Sequence, residues 1–566
     1  MGGIYSPLPP GNFIRLLKVR RERDELICNF KVVCLSDCDE EYIALSYAWE
    51  DPAPVRILQF DGGKSLSLNQ TLSDLIDTLA LPRRPFTLWV DALCINQHDI
   101  SERESQVQLM NEVYSTATKV LLWLGASNAE SQAAFRFMTF MEDHSWPDGW
   151  EQQSHETLSQ VQTVFHLLAR PWFRRTWVIQ EVVLGDDVVV MCGNDAVHFF
   201  TFERCVWGIW KYFEALGDYA DDHLAVRGLW NVTRLLDIRE EFWEHGEIRF
   251  ERLVETAYHC EASDPRDMVF GFLGIADNTR PVPEPTYTAP FEDVYRWTAE
   301  ALLCHGKSLD LLALSGVARR ILPSDLPTWV PDLRNRGLEE PLVPCDRASW
   351  DAGGPVEVMP TKEGAGCLRL RVKLIDVVVR TCPPFTSNSV VKQQAAMRDI
   401  LALRHVLPKV ISENEWNGVL ATSLIMGLDI DDQPAGPEYR EYFGEWLQWL
   451  LSSRSDADLQ NIKGNRFQRT IGPRIDDWKA CLTREGYLCM VPQAVEPGEV
   501  LCVVPGCRLP ILLRSVRPAH GGSGDPRAPE EKELNEYILV SWCFAQGLMY
   551  GESPAQRKPA TEIFLR

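Results

Sequence analysis

Trp177, Gln180 and Glu181 stand at spacings i, i+3 and i+4, which a helix turns onto one face. Glu181 lies among Val178, Ile179, Val182 and Val183, so its carboxylate is expected against apolar surface and the Trp177 indole. Such burial raises a carboxyl pKa and strengthens its field, which suits a general acid or a group stabilising a developing cation. Arg170, Arg174 and Arg175 supply the structural alternative, a buried Glu–Arg pair that merely holds the turn. Residue types alone favour that alternative.

A second group, Asp91, Cys94, Asn96 and Gln97, follows the apolar run FTLWVD. Polar residues at strand ends are the usual lining of α/β sites. Asp91 could bind a ribose hydroxyl or cap the next turn, and Asn96 and Gln97 could bind a ligand or close their loop. Cys94, between Leu93 and Ile95, is expected to pack rather than to act as a nucleophile with His98. Third, Ser46, Tyr47 and Trp49 end another apolar run, where an aromatic pair could stack on a flat ring or belong to the core. Glu102, Arg103 and Gln106 could form a polar network with that loop. Asp264, Arg266 and Asp267 make a charged turn, read as an Asp–Arg pair locking two domains together. The chain has no GxGxxG, GxxxxGK[ST], GxSxG or HExxH, so dinucleotide dehydrogenases, P-loop NTPases, α/β-hydrolases and zincins lack their signatures.

These residues need rigid elements to place them. Strands are expected at 15–23, 26–35, 42–47, 86–91 and 119–125. Between them lie a helix through Leu72, Leu75, Ile76 and Leu79, capped by Asn69 or Thr71 and ended by Pro82, and a second capped by Ser101 with Glu104. Further helices are expected near 128–140 and 155–169, then a Pro-initiated turn and short helix closing at Gly185, and an edge hairpin over 187–200. Apolar strands alternating with helices argue for a parallel sheet covered on both faces, a flavodoxin-like sandwich whose ligands sit beyond the carboxyl strand ends. The expected divisions are an α/β domain at 1–205 with core motifs at 42–181, a mainly helical region at 206–340, a mixed loop and helical region at 341–480, and a small β-rich unit at 481–566. PVPEPTYTAP at 281–290 reads as a connector and 520–533 as a flexible loop.

The 566 residues exceed a single core. A formal net charge of -23 repels phosphate backbones, and RLLKVRRER alone is basic, so nucleic acid is not an expected partner. The 16 cysteines are scattered through apolar runs and no secretory signal precedes them, which reads as reduced thiols in a cytoplasmic protein. No Cys/His pairs stand at metal spacing, and no apolar run reaches transmembrane length. MGGIYS fits a myristoylation pattern at Gly2, with an unmodified terminus the plainer reading.

YIALSYAW (42–49), LWVDALCINQ continuing to WLG (88–125) and RPWFRRTWVIQE (170–181) together resemble the fungal heterokaryon incompatibility (HET) domain family. DPRDMVFGFLGIA, LPTWVPDL and the terminal GYLCMVP and GLMYGE resemble segments that follow that domain. The family's usual glycine after the SYxW tryptophan is replaced here by Glu50, whose bulk and charge disfavour phosphate at that loop. The resemblance implies non-self recognition and programmed cell death. HET domains are distantly similar to TIR domains, whose WxxxE helix has a counterpart in Trp177–Glu181 and whose SY strand end has one in Ser46–Tyr47. By that analogy Glu181 would be catalytic in an NAD glycohydrolase-like reaction, with Ser46, Tyr47, Trp49, Asp91, Asn96, Gln97, Trp177 and Gln180 binding the substrate. NAD would then be a substrate, with no cofactor and no metal. Two alternatives stand beside it: a non-enzymatic module that self-associates or binds a protein partner, and a HET-fold protein recruited to secondary metabolism and acting on a small molecule.

Overall fold

The computed structural model describes residues 4–566 apart from 23–24, 50–51, 82–83, 145–154, 212–221, 278–281, 321, 335–348, 365, 387–388, 431, 454, 457, 459–461, 463–464 and 517–534. The expectations for Gly2, Glu50, Pro82 and the loop at 520–533 lie outside the described residues. Two compact units emerge: Met1–Asp277 with Glu284–Pro290, and Asn278–Pro283 with Phe291–Arg566.

Among the described residues the first unit is built on nine strands: β1 (Phe13–Glu22), β2 (Glu25–Cys34), β3 (Ile43–Tyr47), β4 (Arg56–Phe60), β5 (Ser65–Leu68), β6 (Phe86–Trp89), β7 (Lys119–Trp123), β8 (Val188–Cys192) and β9 (Asp195–His198). They form one sheet in the order β5-β4-β2-β1-β6-β3-β7-β8-β9. The expected parallel sheet is corrected to a mixed one. Only β6, β3, β7 and β8 make a continuous parallel centre, while β1 joins β6 antiparallel; at the far edge β8 and β9 form the expected hairpin. The reason lies in β1 and β2. They are consecutive ten-residue strands that pair antiparallel along their whole length, from Phe13 with Cys34 to Glu22 with Glu25. The basic stretch at 15–23 is therefore an interior strand, with Ile14, Leu16, Leu17 and even Arg15 buried. The hairpin of β4 and β5 was not anticipated. Its turn, Asp61-Gly62-Gly63, places both glycines at positive φ, 76° and 78°, which side chains resist.

The helices of this unit are α1 (Gln70–Leu79), α2 (Asp91–Cys94), α3 (Ile100–Gln108), α4 (Met110–Thr116), α5 (Ala129–Glu142), α6 (His155–Leu167), α7 (Trp177–Val183), α8 (Phe199–Lys211), α9 (His223–His245), α10 (Phe250–Ala257) and α11 (Asp267–Phe270). Asn69 caps α1 by accepting the Leu72 amide. The cap of α3 is corrected from Ser101 to Asp99, which accepts the Glu102 amide at 3.1 Å. Two acceptors two residues apart could each start that helix, and Asp at the cap position also favours the helix dipole. In α7 every residue from Val178 to Val183 is buried, so this short helix runs through the core rather than along its surface.

The second unit contains α12 (Phe291–His305), α13 (Val390–Ala402), α14 (Glu413–Leu424), α15 (Tyr439–Ser452) and α16 (Arg466–Ile475). Its strands are β10 (Thr361–Glu363), β11 (Cys367–Pro384), β12 (Trp478–Thr483), β13 (Leu488–Pro492), β14 (Val500–Val503), β15 (Ile511–Ser515), β16 (Glu536–Trp542), β17 (Phe544–Ala545) and β18 (Thr561–Leu565). Strands β11, β14, β15, β16 and β18 close on themselves, because β14 and β18 both pair with β11. This barrel-like ring corrects the small antiparallel unit expected after residue 481. Its longest strand, β11, comes from a stretch read as loop and helix, and β16 with β18 is parallel. The period-2 signal was present in LRLRVK, with Leu368, Leu370 and Val372 buried and the basic residues between them turned outward.

Candidate functional site

The parallel centre of the first sheet places three sequence segments at one carboxyl end: Ser46–Trp49 after β3, Asp91–Gln97 after β6, and the loop after β7. Helix α7 lies beneath them. Glu181 is 2% exposed and accepts the Ser46 hydroxyl on Oε2, while that hydroxyl accepts the Trp172 indole N–H at 2.8 Å. The Tyr114 hydroxyl is a further partner of the Glu181 carboxyl and donates to the Leu45 carbonyl at 3.0 Å. Burial pushes the Glu181 carboxyl up to about 7, against the opposing pull of the nearby Arg175 charge and the Ser46 hydrogen bond. None of the three expected arginines pairs with it. Arg170 holds the Leu124 and Ala126 carbonyls, Arg174 holds the Ala169 carbonyl, and Arg175 donates to the Tyr47 carbonyl.

A second cluster faces outward above the first. Trp49 is 50% exposed, stacks on Tyr47 with ring centroids 6.5 Å apart, and donates its indole N–H to Asp91 Oδ2 at 3.2 Å. The Tyr47 hydroxyl is a second donor to Asp91. Desolvation raises the Asp91 pKa, and the Arg175 charge opposes it, as at Glu181. Arg175 therefore biases both carboxyls toward ionisation while tying α7 to the end of β3.

The other predicted residues divide differently. Gln97 donates to the Asp91 carbonyl at 2.9 Å, and the Asn96 amide donates to Glu102 at 2.7 Å, so both shape the loop. Gln180 is turned away from Ser46. Its Oε1 accepts the Gly274 amide at 3.1 Å, and a Cβ at residue 274 would stand 2.8 Å from that oxygen. Adjacent helical residues point about 100° apart, so Gln180 and Glu181 cannot serve one point. Trp177 gives its indole N–H to Asp267, and the tryptophan that reaches the Glu181 cluster is Trp172, from the turn before α7. Cys94 is buried, accepts the Val90 amide, and has its thiol pushed up to about 12 by desolvation. Glu102 does not meet the Ser46 loop; it forms a buried ion pair with Arg15.

The charged turn after residue 263 is corrected from a lock between domains to one within the first unit. Arg266 forms a double hydrogen bond with Asp264 and holds the Tyr287 and Ala289 carbonyls. Sequence reasoning missed Tyr287 and Trp172, because one comes from an extended segment and the other from a four-residue 3-10 turn, both too short of periodicity to mark an inward side chain. A cavity of about 220 Å³, lined in part by Arg15, Phe30, Phe60 and Lys64, belongs to the opposite flank of the sheet, and none of the predicted site residues lines it.

Residues 42–181, from the start of β3 to the site carboxyl, match the family model described as Heterokaryon incompatibility protein (HET). The chain is 24% identical to Heterokaryon incompatibility protein 6, OR allele, of Neurospora crassa, over 96% of this chain and 94% of that protein. No solved structure matches.

Proposed function

We propose that the chain, whose residues 42–181 match the HET family model, acts in fungal heterokaryon incompatibility, as a non-self recognition protein whose engagement leads to cell death. The observation that carries this reading is the likeness to an incompatibility protein along almost the whole of both chains, the helical and barrel regions included. The outward Trp49–Tyr47–Asp91 cluster is the surface it would use, because it combines an exposed aromatic with a desolvated carboxylate. Expression of the full chain in a compatible filamentous host tests the reading. Growth arrest that is lost in Trp49→Ala is expected; full toxicity in that variant would remove the surface from the mechanism, and no arrest in any genetic background would remove the function.

A second reading, NAD cleavage of the TIR kind, is favoured by one observation: the Glu181 carboxyl is buried at the end of β3 against the Ser46 hydroxyl, and that burial pushes it up to about 7. In that reaction the bond from the ribosyl carbon to the nicotinamide nitrogen breaks, its electron pair leaves with nicotinamide, and water supplies the hydroxyl of the ADP-ribose product and releases its other proton to solvent. An ionised Glu181 would stabilise the oxocarbenium-like centre. Because Glu181 is 2% exposed, the ribose reaches it only if the Ser46–Trp49 segment moves aside. Incubation of concentrated protein with NAD tests this. Nicotinamide release by the wild type that is abolished in Glu181→Ala and Glu181→Gln supports catalysis, and no release by the wild type refutes it.

A further inference from the structure

The segment Glu284–Pro290 packs with the first unit although the residues on either side of it belong to the second. It is an extended strap, EPTYTAP, with Pro285 and Tyr287 turned inward and Thr288 and Pro290 outward. Tyr287 is held on every side. Its hydroxyl donates to Asp267 Oδ1 at 2.7 Å, its amide donates to Glu104 Oε1 at 2.6 Å, and its carbonyl accepts Arg266 at 2.5 Å. The Arg103 guanidinium lies 3.6 Å from the ring centroid, and Phe270 meets the ring edge-on at 5.5 Å. Asp267 also takes the indole N–H of Trp177, so the strap's anchor touches the helix that carries Glu181.

This arrangement reads a peptide rather than merely covering apolar surface. Backbone N–H and C=O of the strap are both recognised by charged side chains, a guanidinium stacks on the ring, and a partly buried carboxylate accepts the tyrosine hydroxyl. Extended proline-flanked segments are well suited to such grooves because they lose little conformational entropy on docking. We infer that the groove formed by Arg103, Glu104, Asp264, Arg266, Asp267 and Phe270 is a docking site for a proline-flanked tyrosine segment, filled in cis by residues 284–290 and open to a partner protein's segment when the strap is displaced. The proposal is independent of any catalytic role for Glu181.

A fluorescent peptide of residues 282–290 tests it by anisotropy against the full chain. In the wild type the tethered strap competes at an effective concentration in the millimolar range, so weak binding is expected. Tyr287→Gly frees the groove and should bind the peptide at least tenfold more tightly, and a peptide with phenylalanine for tyrosine should bind the same variant at least fivefold more weakly. Tyr287→Phe, which removes a single hydroxyl from the strap, should fall between wild type and Tyr287→Gly and supplies the comparison should the glycine variant not fold. Equal binding by folded wild type and variants, or equal binding of the two peptides, overturns the proposal.

Discussion

The two clusters at the carboxyl end of the sheet share residues of consecutive sequence, Ser46 and Tyr47, yet they are different environments. The inner one, around Glu181, is closed and hydrogen-bonded to Ser46 and Tyr114. The outer one, around Trp49 and Asp91, meets solvent. Alternation along β3 sends neighbouring side chains to opposite faces, so one strand end feeds both. The carboxyl that burial pushes up to about 7 is thus separated from the aromatic that can touch another molecule. Arg175, which holds the Tyr47 carbonyl and lowers both carboxyl pKa values, is their one charged link among the described residues.

Removing the inner carboxyl should produce the largest effect. Glu181→Ala leaves the Ser46 hydroxyl without its acceptor and opens a void under β3, so a loss of about 2–4 kcal/mol is expected from urea unfolding. A loss below about 1 kcal/mol would mean the cluster is looser than the geometry indicates. Next comes pH. The folded state keeps Glu181 protonated up to about 7, against an ordinary 4.5, so it binds the extra proton between those values. Stability from this group is complete below 4.5 and declines as pH rises through 7, by at most about 3 kcal/mol. Glu181→Gln should abolish that decline and match or exceed the wild type above pH 7; a pH profile unchanged by the substitution would contradict the shift.

The outer cluster should behave in the opposite way. Trp49→Ala removes a half-exposed stack and one hydrogen bond, so unfolding should change by about 0.5–1 kcal/mol while toxicity is lost. A destabilisation as large as that of Glu181→Ala would erase the distinction between the clusters. The smallest effect concerns Cys94. Its buried thiol, pushed up to about 12, should resist iodoacetamide at pH 8 in the folded chain and react only on unfolding, as read by intact mass.

Much of this was legible in order of residues. The apolar runs at β3, β6, β7 and β8, the cap at Asn69 and the burial of Glu181 all follow from spacing and side-chain type, whereas the expected common face of Trp177, Gln180 and Glu181 divides among three partners. The hairpin of β4 and β5 and the strand β11 carried readable signals, a double-glycine turn and an alternation of leucine with arginine, that the sequence reading passed over.

By itself the amino-acid order determined the strands β3, β6, β7 and β8 and the helices between them, that Glu181 would be buried, and which family of proteins the chain resembles, because these depend on local periodicity and contiguous motifs. Only the tertiary structure decided that β1 and β2 enter the centre of the sheet, that Trp172 rather than Trp177 reaches Ser46, and that Tyr287 returns across more than a hundred and eighty residues to Glu104. Those outcomes depend on which long-range partner wins a hydrogen bond or a packing site. A competition of that kind is settled by the whole fold and leaves no periodic trace in the segment that takes part.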